Sequence, residues 1–322
     1  MKTPAASANA LGGILCAVGA VSFFTINDVG IKSLSGDYPL HQIVLFRSCV
    51  ALVLTMAIIV PLEGGFSNLR TQKLHLHLLR GVFVVFANTC FFMGLASMKL
   101  SDATAIFFIS PLIITAFSVL FLGETAGVRR WVAVGVGLLG VIIMIRPGAG
   151  TFKLAALLPV MAAVGYAALH TMTRKMGLSE KASTMAFYIQ ITFIVVSSCV
   201  GLTLGDGRYA GQGDPSIDFL LRAWVWPSQS DFLIMALVGT MSAFGGYLIS
   251  QAYRLAQASV VAPFEYVAMP ISIVWGFVFF SEWPDNIAWL GSSLIVGAGL
   301  FVFWREAVLN RKSSHRPLPR DR

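Results

Sequence analysis

The spacing of the charges constrains this chain more than any motif in it. No Asp, Glu, Lys or Arg occurs between Lys2 and Asp28, Arg80 and Lys99, Asp102 and Glu124, Arg130 and Arg146, Lys153 and Arg174, Lys181 and Asp206, Asp231 and Arg254, or Asp285 and Arg305. A charge at the centre of a bilayer costs roughly 3 kcal/mol or more, and a helix needs about 20 apolar residues to cross the hydrocarbon. Each of these eight intervals therefore reads as a membrane-spanning helix. Two more spans carry one charge each: Gln42 to Leu62 contains Arg47, and Ser259 to Phe280 contains Glu265. The expected total is ten. The first run is read as a retained helix and not a cleaved leader, because the small residues Ala5 to Ala10 precede it instead of following it.

Composition agrees with a lipid solvent. The 322 residues are 57% hydrophobic and 12% charged, and the mean hydropathy is +0.78. Those values exclude a soluble enzyme, a nucleic-acid-binding module and a disordered chain. The net charge of +8 is read as loop charge that orients the spans, not as a nucleic-acid footprint. Most Lys and Arg fall on one side if the N-terminus is cytoplasmic, so both termini are predicted to face the cytoplasm. Cys16, Cys49, Cys90 and Cys199 lie within apolar runs and act as small hydrophobes.

The chain also repeats itself. In one constant register Ser101 aligns with Ser259, Ile113 with Ile271, Phe121 with Phe279, Glu124 with Glu282 and Trp131 with Trp289; Pro111 and Pro270 agree within one residue. In a second register Phe23 aligns with Tyr166, Asn27 with His170, Lys32 with Lys175 and Arg47 with Gln190. Both registers divide the chain into five spans plus five, residues 1–150 and 151–306, followed by a basic tail over 307–322. An odd number of spans per copy forces opposite orientations, so the predicted fold is an all-α membrane protein of two inverted five-helix repeats. Glu124 and Glu282 are then expected on opposite faces of the membrane.

Gly123, Glu124, Trp131 and Gly135 in one copy, Glu282, Trp289 and Gly291 in the other, and Pro111 and Pro270 resemble the EamA group of the drug/metabolite transporter superfamily. Ser281 departs from that group's Gly-Glu pair. The resemblance implies a carrier whose helices 1, 3, 4, 6, 8 and 9 line a central cavity, with helices 5 and 10 peripheral. Asn27, Asp28, Lys32 and Arg47 look most similar to the bacterial branch that includes S-adenosylmethionine and riboflavin carriers.

Ionisable and polar groups at membrane depth are the candidate site. Glu265 is the first, placed to bind an ammonium or take up a coupling proton; the competing reading is a buried neutral carboxyl hydrogen-bonded to a neighbouring helix. Tyr166 and His170 share one face of their helix, as do Phe23 and Asn27 in the other repeat. Asn88 and Phe91, with Tyr247, Gln251 and Tyr266, complete the expected substrate-binding set, and the aromatics suit a planar organic solute. Asp28, Lys32 and Arg47 are expected to form an ion-paired clamp or gate at the outer end of helices 1 and 2, with contact to an anionic substrate as the alternative. His75 and His77 are expected in a solvated loop. Small residues on helices 5 and 10, Ala133, Gly137 and Gly140 with Gly291, Ser293, Gly297 and Gly299, predict close packing within the chain or between two copies.

These readings converge on a secondary carrier of a small organic metabolite, charged and aromatic or heteroaromatic, in a bacterial inner membrane. Such a carrier works by alternating access as a monomer or homodimer, without cofactor, metal or nucleic acid. The alternative is an intramembrane enzyme acting on a lipid or small molecule, against which the sequence holds no H-E-x-x-H or G-x-S-x-G motif. A channel would need a charged ring or filter loop, and none is visible.

Overall fold

The computed structural model describes residues 4–123, 127–146, 154–176, 180–211, 213–255, 261 and 264–313. The described residues contain helices and no strand. The long helices are α1 (Pro4–Leu34), α2 (Leu40–Leu54, continued through a π turn at Thr55–Ile59 to Leu62), α3 (Leu74–Ser97) and α4 (Leu100–Phe107, resumed at Ser110–Leu122). They continue with α5 (Val128–Ile145), α6 (Leu158–Met176), α7 (Ala182–Leu204), α8 (Gln229–Leu255), α9 (Ala268–Phe280) and α10 (Asn286–Ser313). Among the described residues, seven segments are long and apolar enough to cross a membrane: Leu11–Leu34, Leu40–Leu62, Leu74–Ser97, Leu100–Phe121, Ala155–Thr173, Ala182–Leu204 and Gln229–Leu255. Three shorter apolar helices, Trp131–Ile145, Ala268–Phe280 and Asn286–Phe301, complete the bundle.

Helix is the form a chain this apolar must take in hydrocarbon, where no water satisfies the backbone. The outward faces are those of a lipid-solvated body: Leu15 is 63% exposed, Val53 65%, Leu202 89% and Phe277 58%. In water, apolar surface on that scale would drive association. Polar groups instead concentrate inside, with Asn27, Arg47, Arg80, Gln190 and Glu265 all buried.

The principal packing pairs have a simple pattern. The α1 helix lies against α8 and α6 resumes that role against α3; α2 meets α8 as α7 meets α3; α1 meets α9 as α6 meets α4. The pairs α2 with α7, α4 with α9 and α5 with α10 complete it. Exchanging each helix for the one five places later leaves this pattern unchanged.

Local breaks fall in the same register. The α4 helix is interrupted at Phe108 and Ile109, just before Pro111, and the turn at Tyr266 and Val267 comes just before Pro270. A proline removes one amide donor and its ring crowds the carbonyl four residues earlier, which accounts for both interruptions. The two breaks touch: the Tyr266 and Phe108 rings lie 5.2 Å apart, and the Tyr266 hydroxyl donates to the Phe108 carbonyl at 3.4 Å. The ends of these helices also match, since Gly123 (φ 70°) and Ser281 (φ 53°) both adopt the left-handed conformation. At Ser281 the closing bonds run from its N–H to Phe277 O and from Glu282 N–H to Gly276 O; the first is the C′-to-C3 bond of an αL cap.

The small residues of α5 and α10 meet within the chain. A Cβ on Gly140 would stand 2.7 Å from the Gly291 carbonyl, and one on Gly291 2.8 Å from the Gly140 carbonyl. Glu124, Lys153, Ser259, Pro263 and most of the basic tail lie outside the described residues.

Candidate functional site

One end of the bundle holds the end of α1, the start of α2 and the start of α4. The other holds the end of α2, the start of α3 and the end of α8. We call these the Lys32 end and the Glu63 end. Between them lies a cavity of about 230 Å³, room for an organic molecule rather than a bare ion.

Towards the Lys32 end the cavity is lined by Asn27 and Asp28 of α1, Arg47 of α2 and Asn88 of α3. The Arg47 Nη2 donates to Asn88 Oδ1 at 3.0 Å, and its guanidinium sits 4.9 Å from the Phe193 ring centre and 5.8 Å from that of Phe92. Asn27 Nδ2 donates to Asp28 Oδ1 at 3.1 Å. Four buried polar atoms here have no partner among the described residues: Asn27 Oδ1, Arg47 Nε, Thr104 Oγ1 and Gln190 Oε1.

Towards the Glu63 end stand Tyr166, His170, Tyr253, Glu265 and Arg80. Glu265 accepts from Tyr166 OH at 3.3 Å and from Tyr253 OH through its other oxygen. The His170 ring packs 4.2 Å from Tyr166 and 4.8 Å from Tyr253. Arg80 Nε donates to Thr173 Oγ1 at 3.0 Å, and its Nη1 is buried without a partner. On a rise of ~1.5 Å per residue, Arg47 lies roughly 10 Å in from one end of its helix and Arg80 roughly 9 Å in from the opposite end of the bundle. The two guanidiniums therefore occupy different levels.

An aromatic wall joins the levels. Ring centres step from Phe92 to Phe91 (5.4 Å), to Phe107 (5.2 Å), to Tyr166 (5.1 Å). Such edge contacts hold the rings firmly and leave a flat face for a conjugated solute.

Of the residues expected at the site, Asn27, Asn88, Phe91, Tyr166, His170 and Glu265 surround this cavity, and Tyr247, Gln251 and Tyr266 do not. Gln251 donates to Tyr247 OH (2.9 Å) and to Glu63 Oε1 (2.5 Å), and Arg254 joins the same carboxylate at 3.4 Å. Lys181 Nζ and the Ser183 amide also converge on Glu63. This network ties the ends of α2 and α8 to the start of α7. Tyr266 instead lies at the contact between the helix breaks.

The expected cluster of Asp28, Lys32 and Arg47 is divided. Lys32 donates to both oxygens of Glu282 at 2.7 and 2.9 Å and to the Met98 carbonyl at 2.8 Å, while Glu282 also accepts from the Leu100 amide at 2.9 Å. Asp28 and Arg47 face the cavity and form no ion pair with each other. The reason is geometric: Asn88 and two rings hold the guanidinium plane.

Two expectations need correcting. His77 is not in a solvated loop; α3 begins at Leu74, and the ring is 1% exposed, 3.4 Å from Glu180 and stacked on Tyr188. Arg80, read as a charge bounding a span, is 3% exposed and lines the cavity. Its position at the edge of an uncharged interval resembles that of a loop charge, and only the packing of α3 against α6 and α7 reveals its burial. Tyr253 was also missed, although it stands next to Arg254 and lines the same side as Tyr166.

Residues 11–146 match the EamA-like transporter family. The protein named as the riboflavin transporter of Vibrio cholerae is 29% identical over 94% of this chain and 95% of its own length. The S-adenosylmethionine uptake transporter of Rickettsia prowazekii is 26% identical over 88% and 89% respectively, and the pseudopaline exporter CntI of Pseudomonas aeruginosa 26% over 89% and 94%. A crystal structure of a protein 17% identical superposes with a TM-score of 0.62 over 92% of this chain and 98% of that one; at this identity the likeness concerns the fold.

Proposed function

We propose that this protein belongs to the EamA-like transporter family and carries a small organic metabolite across a bacterial inner membrane, and that the solute is charged with an aromatic or heteroaromatic body. The observation that carries the reading is the cavity: buried polar atoms without partners at two levels, joined by a wall of rings, inside a body whose outer faces are apolar. Relatives named as transporters of riboflavin and S-adenosylmethionine support it, as does the EamA match. The intramembrane-enzyme alternative draws no support from those names.

In this reading all ten long helices cross the bilayer as two inverted five-helix repeats, 1–150 and 151–306, with both termini cytoplasmic. The exchange-invariant packing and the paired breaks at Phe108 and Tyr266 support the repeat. Transport then proceeds by alternating access, with the Lys32–Glu282 and Glu63 networks as contacts that form and break at opposite ends. Glu265, held by two phenols, receives a cationic group of the solute or a coupling proton.

Uptake of labelled riboflavin, S-adenosylmethionine and amino acids into sealed vesicles carrying the purified protein tests the function. Accumulation abolished in Glu265→Gln, with the variant still folded, is the expected result. Turnover of a solute without its movement across the membrane would support the enzyme instead.

A further inference from the structure

Two opposite charges line the Lys32-end level of the cavity and fail to neutralise each other. Arg47 is 2% exposed, its Nη2 is spent on a neutral amide, and its Nε has no acceptor. Asp28 receives one hydrogen bond, from the adjacent Asn27, and among the described residues no cation stands within ion-pair distance. Arg47 and Asp28 are near enough to interact electrostatically. Yet the guanidinium is clamped between Phe92, Phe193 and Asn88 and does not swing across. Asn27 adds an unsatisfied buried acceptor, Oδ1, on the Asp28 side.

Burying an unpaired guanidinium or carboxylate is costly, and removing either partner's complement costs more than leaving both apolar. The arrangement therefore states what occupant completes it. A simple anion would satisfy Arg47 and repel Asp28; a simple cation would do the reverse. A group carrying adjacent negative and positive charges satisfies both. We infer that this level of the cavity is a subsite for an α-amino-acid head, its carboxylate on Arg47 and its ammonium on Asp28 and Asn27. The remainder of the solute lies along the Phe91, Phe107 and Tyr166 rings towards Glu265. This assignment rests on the transport reading and narrows its substrate class to amino acids extended by a planar body.

The test uses the full chain purified in detergent and titrated with three probes: S-adenosylhomocysteine, its N-acetyl derivative, and 5′-methylthioadenosine, which keeps the nucleoside and thioether but lacks the amino-acid head. S-adenosylhomocysteine is expected to bind tightest, with loss of the ammonium alone or of the whole head weakening binding roughly tenfold to hundredfold. Arg47→Gln is expected to weaken S-adenosylhomocysteine by a similar factor while leaving 5′-methylthioadenosine unchanged. Asp28→Asn, nearly isosteric, should remove the preference for the free ammonium even if Arg47→Gln folds poorly. Equal binding of headed and headless probes, or a preference unaltered in both variants, overturns the subsite. If vesicles then still accumulate riboflavin, the transport reading stands without it; if they accumulate no solute at all, both fall.

Discussion

Lys32 and Glu282 join α1 to the segment between α9 and α10, with side chains 11% and 22% exposed. Glu282 also caps the start of α4 through the Leu100 amide, and Lys32 also holds the Met98 carbonyl. Glu282→Gln removes one charge and leaves the ammonium with a carbonyl and an amide oxygen. Breaking a fully buried pair costs about 3–5 kcal/mol; the partial exposure here and the bonds Lys32 retains reduce that to about 2 kcal/mol. For a chain of this length the loss corresponds to a fall in melting temperature of roughly 3 °C, read by thermal unfolding in a fixed detergent. A double-mutant cycle sharpens the expectation. Lys32→Met should destabilise by a similar amount, and the double variant Lys32→Met with Glu282→Gln should lose less than the two losses added, because the second change removes a charge already orphaned. Strict additivity would refute the pair as an energetic unit. In vesicles the single variants should also expose cysteines introduced beside Lys32 to impermeant thiol reagents faster than in the wild type, as expected of a contact that closes that end.

Ser281→Gly should raise the melting temperature, since a left-handed L-residue costs roughly 1–2 kcal/mol that glycine avoids, and the cap bonds involve only the backbone; an unchanged or lower midpoint would contradict the cap. Gly140→Val should destabilise by at least about 1–3 kcal/mol, because a Cβ there meets the Gly291 carbonyl at 2.7 Å; thermal unfolding checks this too. Arg146 donates to Asp285 at 2.5 and 2.6 Å, and this bond, outside the spans, holds the Asp285 carboxyl below its usual range. A depressed folded pKa stabilises above the unfolded value of about 4 and the gain disappears as pH falls through the folded value, so Asp285→Asn should lower stability at neutral pH, flatten the acid limb of the stability profile and converge with the wild type at the lowest pH.

What the sequence revealed, and what it concealed, follows from the range of each interaction. Uncharged intervals report burial in lipid one segment at a time, so the long helices were legible. So was Glu265, because a carboxylate within an apolar run has no inexpensive alternative to an interior partner. Arg80 and His77 were not legible: a basic residue one turn or two inside a helix start is compatible with a headgroup, and only the neighbours α6 and α7 bring Thr173, Glu180 and Tyr188 over them. The Asp28, Lys32 and Arg47 grouping failed for the complementary reason. Closeness along the chain suggested mutual pairing, whereas Lys32 found Glu282, 250 residues away, and so left Asp28 and Arg47 without it. That distant contact is what frees two unmatched charges to face the cavity: had Lys32 closed on Asp28, Arg47 alone would remain and the site would select an anion. On the proposed subsite, the specificity of the cavity thus depends on a contact outside it. Weakening Glu282 should therefore disturb both closure at that end and the balance of charge presented to the solute.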